Sequence, residues 1–236
     1  PNLFVHDNGL LYANGRDRAI TWMNSQSDGR PIVPRSGYIV EFNALWYNAL
    51  KFFEQLIEEN GQEEYAGLKD EVGKLAEKVA RSFKEVFLNE YGYLLDYVDG
   101  QMMDWSVRPN QLFAIAFDYS PLDMKERKSV LDICTKELVT PKGIRSLSPQ
   151  SGGYNPMYVG PQTQRDLAYH QGTAWPWLTG FYLEAYLRVY RMSGVNYIER
   201  KLIGFEEELF YHCIGTIPEL FDGNPPFHGR GAISFA

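Results

Sequence analysis

Residues 41–60 read EFNALWYNALKFFEQLIEEN, and this stretch decides the fold that the sequence predicts. Apolar side chains recur in it every three or four residues, which is the period of an α-helix. They are Phe42, Leu45, Trp46, Ala49, Phe53, Leu56 and Ile57. The first ten residues hold a single charge, Glu41. A helix that is apolar around most of its surface is usually buried, so this stretch predicts an inner helix.

Five further helical patterns follow, and their charge content alternates. They cover about residues 63–88, 109–117, 121–138, 174–192 and 196–214. The pattern at 109–117 and the first ten residues of 174–192 carry no charge, whereas the other three carry charges on one face. Alternating inner and outer helices build an α/α toroid. We therefore predict an all-α fold of three helical hairpins, about half of an (α/α)6 toroid, with long loops and short hairpins at one mouth. One such β-hairpin should turn at Asn14-Gly15.

Half a toroid would leave its inner helices open on one side. The chain also begins at Pro1 without a methionine and ends in RGAISFA. We therefore expect residues 1–236 to form one domain, the carboxy-terminal piece of a longer polypeptide whose amino-terminal remainder supplies the missing half.

Long segments precede each predicted inner helix. They span residues 35–43, 93–110 and 143–173 and are rich in aromatic residues, Arg, Asp, Asn and Gln. Long structured loops in a compact domain are usually functional. Because all three lead into the amino ends of inner helices, they should meet at one mouth of the toroid. Aromatic rings, arginines and carboxylates around such a mouth predict a neutral polyol ligand.

Composition excludes several other classes of protein. The formal net charge is −7 and no basic run is present, which argues against nucleic-acid binding. No apolar run is long enough to span a membrane. Cys134 and Cys213 lie in apolar helical contexts, as buried thiols do in a reducing compartment, so we expect a cytoplasmic protein. No Cys/His spacing predicts a zinc site, and no aspartate-rich motif of the terpene-cyclase kind occurs, so no metal is expected.

Five motifs resemble one known family in both order and spacing. They are VEFNALWYNAL (40–50), RPNQLFAIAF (108–117), LVTPKGIRSLSP (138–149), YNPMYVGPQTQRDLAYHQGTAWPWL (154–178) and IPELFDG (217–223). From about residue 10 to the end, the chain resembles the carboxy-terminal amylo-α-1,6-glucosidase domain of glycogen debranching enzymes. The resemblance implies an (α/α)6 barrel related to glucoamylases. It also implies hydrolysis of the single α-1,6-linked glucose at a branch of glycogen, limit dextrin or a similar glucan, with inversion and without a cofactor.

Inverting hydrolysis needs one carboxyl group as an acid and a second as a base. The resemblance implies that Glu219 in IPELFDG is the base. The expected acid is the Asp of a Thr-Trp-Met-Asp motif, but this chain has Asn24 there, and an amide has no acidic proton to donate. Three readings follow: Asp28, Glu41 or Asp104 donates the proton; the domain binds glucan with little or no activity; or the mechanism is rearranged. Glu41 also has an adequate structural role, because the helix dipole stabilises a negative charge in the first turn of a helix.

The resemblance also implies a set of substrate-binding residues. They are Trp22, Trp105, Arg108, Asn110, Arg165, His170, Gln171, Trp175 and Trp177. Tryptophan rings stack on sugar faces, but core packing is an equally ordinary role for Trp46 and for at least one of Trp175 and Trp177. Likewise, Arg108 could pair with an aspartate, and His170 could bond a backbone carbonyl.

Overall fold

The computed structural model describes residues 2–61 and 65–233. Seven α-helices lie in these ranges: α1 (Val40–Asn60), α2 (Ala66–Phe87), α3 (Phe113–Ala116), α4 (Met124–Glu137), α5 (Gln162–Ala168), α6 (Trp177–Tyr190) and α7 (Val195–Ile203). The start predicted for the second helix at residue 63, Pro1 and the last three residues of RGAISFA lie outside the described residues.

The six predicted helices occur in the predicted order with shifted boundaries, and one further short helix, α5, lies in the segment predicted to be a loop before α6. The third helix begins as a 3₁₀ turn at Pro109–Leu112 and continues into the four buried residues of α3. The fifth begins at Trp177, because the two residues predicted to open it pair as a strand instead. The sixth ends at Ile203 and is followed by a 3₁₀ turn at Glu206–Phe210.

Helices α1 and α2 form the longest hairpin. Their surfaces differ, because α2 is amphipathic whereas α1 carries apolar residues on more than one side. Helix α2 buries one stripe and leaves its charged face outside; the stripe is Val72, Ala76, Val79, Phe83 and Phe87. Helix α1 buries Ala44, Leu50 and Ile57 but exposes apolar residues on its other side. It also packs against α3, and α3 packs against α6, so the three helices predicted to be inner are neighbours in a row.

Strands accompany the helices. They are β1 (Leu3–Val5), β2 (Leu11–Ala13), β3 (Gln26–Ser27), β4 (Arg30–Pro31), β5 (Gly37–Ile39), β6 (Tyr97–Asp99), β7 (Met102–Met103), β8 (Val139–Thr140), β9 (Gly143–Arg145), β10 (Ala174–Trp175), β11 (Pro218–Phe221) and β12 (Gly229–Ile233). They form one antiparallel sheet in the order β1-β2-β5-β6-β7, a second in the order β12-β11-β10-β9-β8, and the hairpin β3-β4.

These sheets correct the prediction of an all-α fold. The strands have two to five residues, too few for a two-residue alternation to stand out in the sequence. The predicted hairpin at Asn14-Gly15 is also wrong, because β1 pairs with β2 and the chain turns earlier, at residues 6–10. There the His6 carbonyl oxygen accepts a hydrogen bond from the N–H of Gly9, and the N–H of His6 donates to the carbonyl oxygen of Leu10.

Strands of the two sheets lie directly before the starts of two inner helices. Strand β5 ends at Ile39, one residue before α1, and β10 ends two residues before α6. Strand β6 pairs with β5 through Tyr38 and Val98. Because paired strands are held in register, the loops that precede the inner helices are fixed relative to one another.

Candidate active site

The starts of α1 and α3, the first and second of the predicted inner helices, are joined by a buried polar cluster. The Nη groups of Arg35 donate to both carboxylate oxygens of Glu41 in the first turn of α1. The Nε of Arg35 donates to Asp96 Oδ2 over 2.8 Å, and Asn110 Nδ2 donates to Asp96 Oδ1 over 2.7 Å. All four side chains are buried. Charged groups are buried at low cost only when they are paired in this way, so the cluster is a structural link between the two helix starts.

The indole of Trp22 extends this link to the start of α6. Its Nε1 donates to Asn110 Oδ1 over 2.7 Å. Its ring stands nearly perpendicular to the rings of His170, Trp175 and Trp177, with centroid separations of 5.1, 5.5 and 5.2 Å. We call these four residues the aromatic wall. The three helix starts therefore meet at one place, as the arrangement of long loops predicts.

Arg108 holds the segment that precedes the aromatic wall. Its Nη1 donates to the carbonyl oxygens of Ser146 and His170 over 3.2 and 2.9 Å, and its Nη2 donates to Gln171 Oε1 over 2.7 Å. Its side chain is 5 % exposed. The structural role left open for Arg108 is therefore realised, mainly through backbone carbonyls and only distantly through Asp96, whose Oδ2 lies 3.9 Å from its Nε.

His170 is a neutral member of the wall. Its ring stacks on Trp175 at 5.3 Å with an interplanar angle of 9°, and its Nδ1 lies 3.2 Å from the hydroxyl oxygen of Ser25. Burial, together with the positive charge of Arg108, lowers the pKa of His170 to about 3. A histidine of this kind stays uncharged at neutral pH and can both donate and accept a hydrogen bond.

Glu219 lies beside the wall. It sits in β11 between the buried residues Pro218 and Leu220, and its own side chain is half-buried. The hydroxyl group of Tyr169 donates to Glu219 Oε1 over 2.5 Å. The Tyr169 ring packs edge-on against Trp175 and His170, at 4.9 and 4.7 Å. The structure thus connects the carboxylate predicted to be the base to the predicted sugar-stacking tryptophans through one tyrosine.

The residues around the missing acid have different surroundings. Asn24 is exposed, next to the buried Met23. Asp28 is exposed at the turn of the β3-β4 hairpin, where positive φ values at Asp28 and Gly29 are those of a two-residue type I′ turn. Asp104 is half-buried and accepts a hydrogen bond from the backbone N–H of Ser106 over 2.9 Å.

The position of Glu41 does not suit its predicted role as a substitute acid. Both of its oxygens accept hydrogen bonds from Arg35, and the residue is 4 % exposed. The bidentate contact with the guanidinium occupies both carboxylate oxygens, so neither is free to approach a substrate. The structural role at the start of α1 is the one that this geometry supports.

Two other predicted binding residues lie further along the loops. Trp105 is 44 % exposed and contacts Tyr91 edge-on at 6.3 Å rather than joining the wall. Arg165 donates to Gln162, and its guanidinium lies 5.9 Å from the centre of the Tyr158 ring. Tyr158 in turn packs against Tyr169 at 5.5 Å, which connects Arg165 to the neighbour of Glu219.

Comparison with known proteins gives the family. The sequence model of the family described as amylo-alpha-1,6-glucosidase matches residues 2–236. The chain belongs to the amylo-alpha-1,6-glucosidase family. The resemblance of the five motifs is thereby confirmed over almost the whole chain.

Proteins similar to this chain include a debranching enzyme, a trehalase and a mannosylglycerate hydrolase. The glycogen debranching enzyme of Saccharomyces cerevisiae is 27% identical over 232 residues, covering 78% of this chain and 15% of that protein. The neutral trehalase of Saccharomyces cerevisiae has a similar structure, with a TM-score of 0.62 and 14% identity, over 83% of this chain and 35% of that one. The GH63 mannosylglycerate hydrolase of Thermus thermophilus gives 0.60 and 14%, over 84% and 43%.

These solved structures show the type of fold. Both are (α/α)6-type folds, so the helical-hairpin part of the prediction is confirmed, while its all-α part is corrected by the two sheets. The chain spans 15% of the length of the curated relative and less than half of each of the two structures.

Sequence reasoning missed four residues that build the site. Arg35, Asp96, Tyr169 and Ser25 make the contacts described above, and none was predicted to take part. A signal existed for Tyr169, because it directly precedes His170 in the AYHQGT segment of a long motif. Asp96 is a single charge in the apolar stretch YLLDYV (93–98). The partners of Arg35, Glu41 and Asp96, are 6 and 61 residues away from it. Local spacing does not reveal such pairs.

Two features are absent from the part of the chain that the structure describes. No group of three or more His, Cys, Asp or Glu side chains in residues 2–61 and 65–233 is arranged to hold a metal ion. Within the same ranges, no helix combines the length and apolarity needed to cross a membrane.

Proposed function

We propose that this chain carries the base side of an inverting glucosidase site that hydrolyses α-1,6-linked glucose at branch points of glycogen or a related α-glucan. Glu219 is the general base. The observation that carries this proposal is the hydrogen bond from Tyr169 to Glu219, beside the tryptophans of the aromatic wall. Family membership supports the reaction class.

The contact with Tyr169 suits the chemistry of a base. Burial, followed by the hydrogen bond to Glu219, raises the pKa of Tyr169, so its phenol stays protonated at neutral pH. The phenol therefore remains a hydrogen-bond donor that holds Glu219 Oε1 in place. The second oxygen, Oε2, has a long 3.4 Å contact with the N–H of Ala232 and can accept a proton from water. Activation of water by a carboxylate is the step that gives inversion.

The proton donor is the open element of the mechanism. With Glu41 bound by Arg35, Asp28 and Asp104 are the remaining carboxyls of the predicted set. We propose that one of them replaces the acid missing at Asn24. Asp28 is four residues from Asn24 in the same segment, and its hairpin packs against α5, in the segment that leads to Tyr169.

The first experiment measures glucose released from a branched limit dextrin by the polypeptide that contains this chain. Glu219→Gln should abolish release while dextrin binding is kept, because the amide cannot accept the proton. Glu207→Gln, the same change on an exposed glutamate of the 3₁₀ turn, is the matched control and should act like the wild type. Full activity of Glu219→Gln would remove Glu219 from the mechanism.

A second candidate function is favoured by Asn24: a glucan-binding or regulatory domain with weak or no activity. Asn24→Asp distinguishes the two. General acid catalysis typically contributes about 10²- to 10⁴-fold, so a gain of that size would mean that the acid had been lost. If the wild-type protein is active, Asn24→Asp does not change the rate, and Asp28→Asn or Asp104→Asn lowers it, then that aspartate is the substitute acid. Dextrin binding without any glucose release would support the binding function.

We also propose that residues 1–236 are one part of a single toroid domain, completed by further helices of the same polypeptide. The support is twofold. Each solved relative is more than twice as long as the part that this chain matches. In addition, α1, the longest of the helices predicted to be inner, exposes Leu45, Phe52 and Leu56 along one face.

A further inference from the structure

Asn110 lies between one group that only accepts hydrogen bonds and one that only donates them. Its Nδ2 donates to Asp96 Oδ1 over 2.7 Å, and its Oδ1 accepts from Trp22 Nε1 over 2.7 Å. A carboxylate has no proton to donate, and an indole nitrogen cannot accept. The opposite orientation of the amide would set oxygen against oxygen and N–H against N–H. The two partners therefore fix the amide of Asn110 in one orientation.

Asp96 is itself held from several sides. Arg35 donates from Nε to Oδ2 over 2.8 Å and from Nη2 to Oδ1 over 3.1 Å. The backbone N–H of Asp96 donates to the carbonyl oxygen of Asp104, and its carbonyl oxygen accepts from the N–H of Val40 at the start of α1. With 2 % of its surface exposed, Asp96 has neither room to move nor water to replace these partners.

From this geometry we infer that Asp96 is a positioning residue for Trp22: through the amide of Asn110 it sets the plane of the indole in the aromatic wall. We call the three residues the Asp96–Asn110–Trp22 relay. Its consequence for glucan binding rests on the proposed function; the orientation of Trp22 does not. Burial raises the pKa of Asp96 to about 6, and the negative charges of Asp104 and Glu41 act in the same direction. The positive charges of Arg35 and Arg108 oppose this rise, so Asp96 is mostly a carboxylate at neutral pH.

The orientation of Trp22 matters because its ring contacts three other rings at once. The interplanar angles between the indole and these three rings are 83° to 89°, and the centroids are 5.1 to 5.5 Å apart. Rotation of the indole about its side-chain bonds would break the hydrogen bond and all three edge contacts together. A stacking surface for a sugar is useful only when it is held in one plane, since its attraction depends on close contact over the whole ring face.

The first measurement needs no variant. The chain contributes five indole N–H signals to the spectrum of the protein labelled with ¹⁵N-tryptophan, and Trp22→Phe identifies that of Trp22. We expect the Trp22 indole hydrogen to exchange with solvent at least about tenfold more slowly than that of Trp105, whose side chain is 44 % exposed. Equal exchange rates would overturn the relay, whatever happens to any variant.

The second measurement uses Asp96→Asn. This side chain has the same shape but one acceptor oxygen fewer, so either Arg35 or Asn110 faces an N–H group. We expect the Trp22 indole signal to shift and its exchange to become about tenfold faster, consistent with the loss of one hydrogen bond. Asp99→Asn is the matched control at the end of β6, because Asp99 bonds Tyr12 and Arg16 instead, and it should leave the Trp22 signal unchanged. A folded Asp96→Asn variant with an unaltered Trp22 signal would contradict the inference.

Dextrin binding by the same proteins separates this inference from the proposed function. Asp96→Asn should weaken dextrin binding about tenfold and Asp99→Asn should not. If the wild-type protein binds no dextrin but the indole measurements agree with the relay, the proposed function fails and the positioning role stands. If dextrin binds and Asp96→Asn alters neither the indole signal nor the affinity, the positioning role fails alone.

Discussion

At the scale of single residues, the site uses polar side chains mainly to hold one another. Arg108 and Asn110 were predicted to contact sugar hydroxyls, yet the structure commits them to backbone carbonyls, Asp96 and Trp22. This is the expected price of burial, because an unpaired polar group in an apolar interior costs about 1–3 kcal/mol. Groups that remain partly exposed for a ligand include the rings of Trp22 and Trp177 and the Glu219 carboxylate, whereas Trp175 is a core residue.

His170 gives a prediction at this scale. Its ordinary pKa of 6.5 is lowered to about 3 in the folded protein, so between these values the unfolded chain binds the extra proton. Stability should therefore fall as pH is lowered from 7 to 4, and His170 should account for about 3 kcal/mol of that loss. His170→Gln should reduce the pH dependence of urea-induced unfolding. An imidazole NMR titration with a midpoint near pH 6.5 would contradict the prediction.

At the scale of elements, the short strands of the first sheet set the spacing between helix starts. Strand β5 leads into α1 and pairs with β6, and these two strands lie just after Arg35 and Asp96 respectively. Gly37 makes the close pairing possible. It has a φ of +88°, and a Cβ atom there would lie 2.2 Å from the carbonyl oxygen of Val98. A larger residue would have to separate the strands that bring the ion pair together.

Gly37→Ala should therefore be strongly destabilising, by more than about 2 kcal/mol, because the left-handed backbone and the backbone clash act together. Gly29→Ala is the control. Gly29 also has a positive φ, +74°, but its Cβ would meet open space, so only the backbone term of about 1 kcal/mol remains. Unfolding in urea measures both. Equal losses for the two variants would show that the clash is relieved without cost.

At the scale of the whole molecule, the row of inner helices has one covered and one open side. Helix α1 exposes Leu45, Ala49, Phe52 and Leu56, which are spaced by three or four residues along one face. This face is apolar although α2 and α3 already cover the opposite side. An inner helix of a toroid has neighbours on both sides, which is why we propose that further helices of the same polypeptide pack here.

Two phenylalanines, one on the open face and one in the core, test whether further helices cover this face. Phe52 is 52% exposed and Phe83 is fully buried. In the chain of residues 1–236, Phe83→Ala should cost about 3–5 kcal/mol and Phe52→Ala less than about 1 kcal/mol. In a longer polypeptide that completes the toroid, the cost of Phe52→Ala should rise by about 2 kcal/mol or more. Denaturant unfolding of both lengths tests this. A cost for Phe52→Ala that does not depend on chain length would argue that the face stays open.

The sequence by itself determined which helices are inner and outer, because charge content and period are local properties of a segment. It also determined the family, since long motifs such as 154–178 survive as continuous strings. The tertiary structure alone decided the sheets, the burial of Glu41 by Arg35, the relay from Asp96 to Trp22 and the contact of Tyr169 with Glu219. The relay depends on hydrogen bonds between residues 14 and 88 positions apart, and Tyr169 and Glu219 are 50 positions apart. Such pairs form only when the packing of helices and strands closes the intervening loops, and local spacing carries no information about that closure.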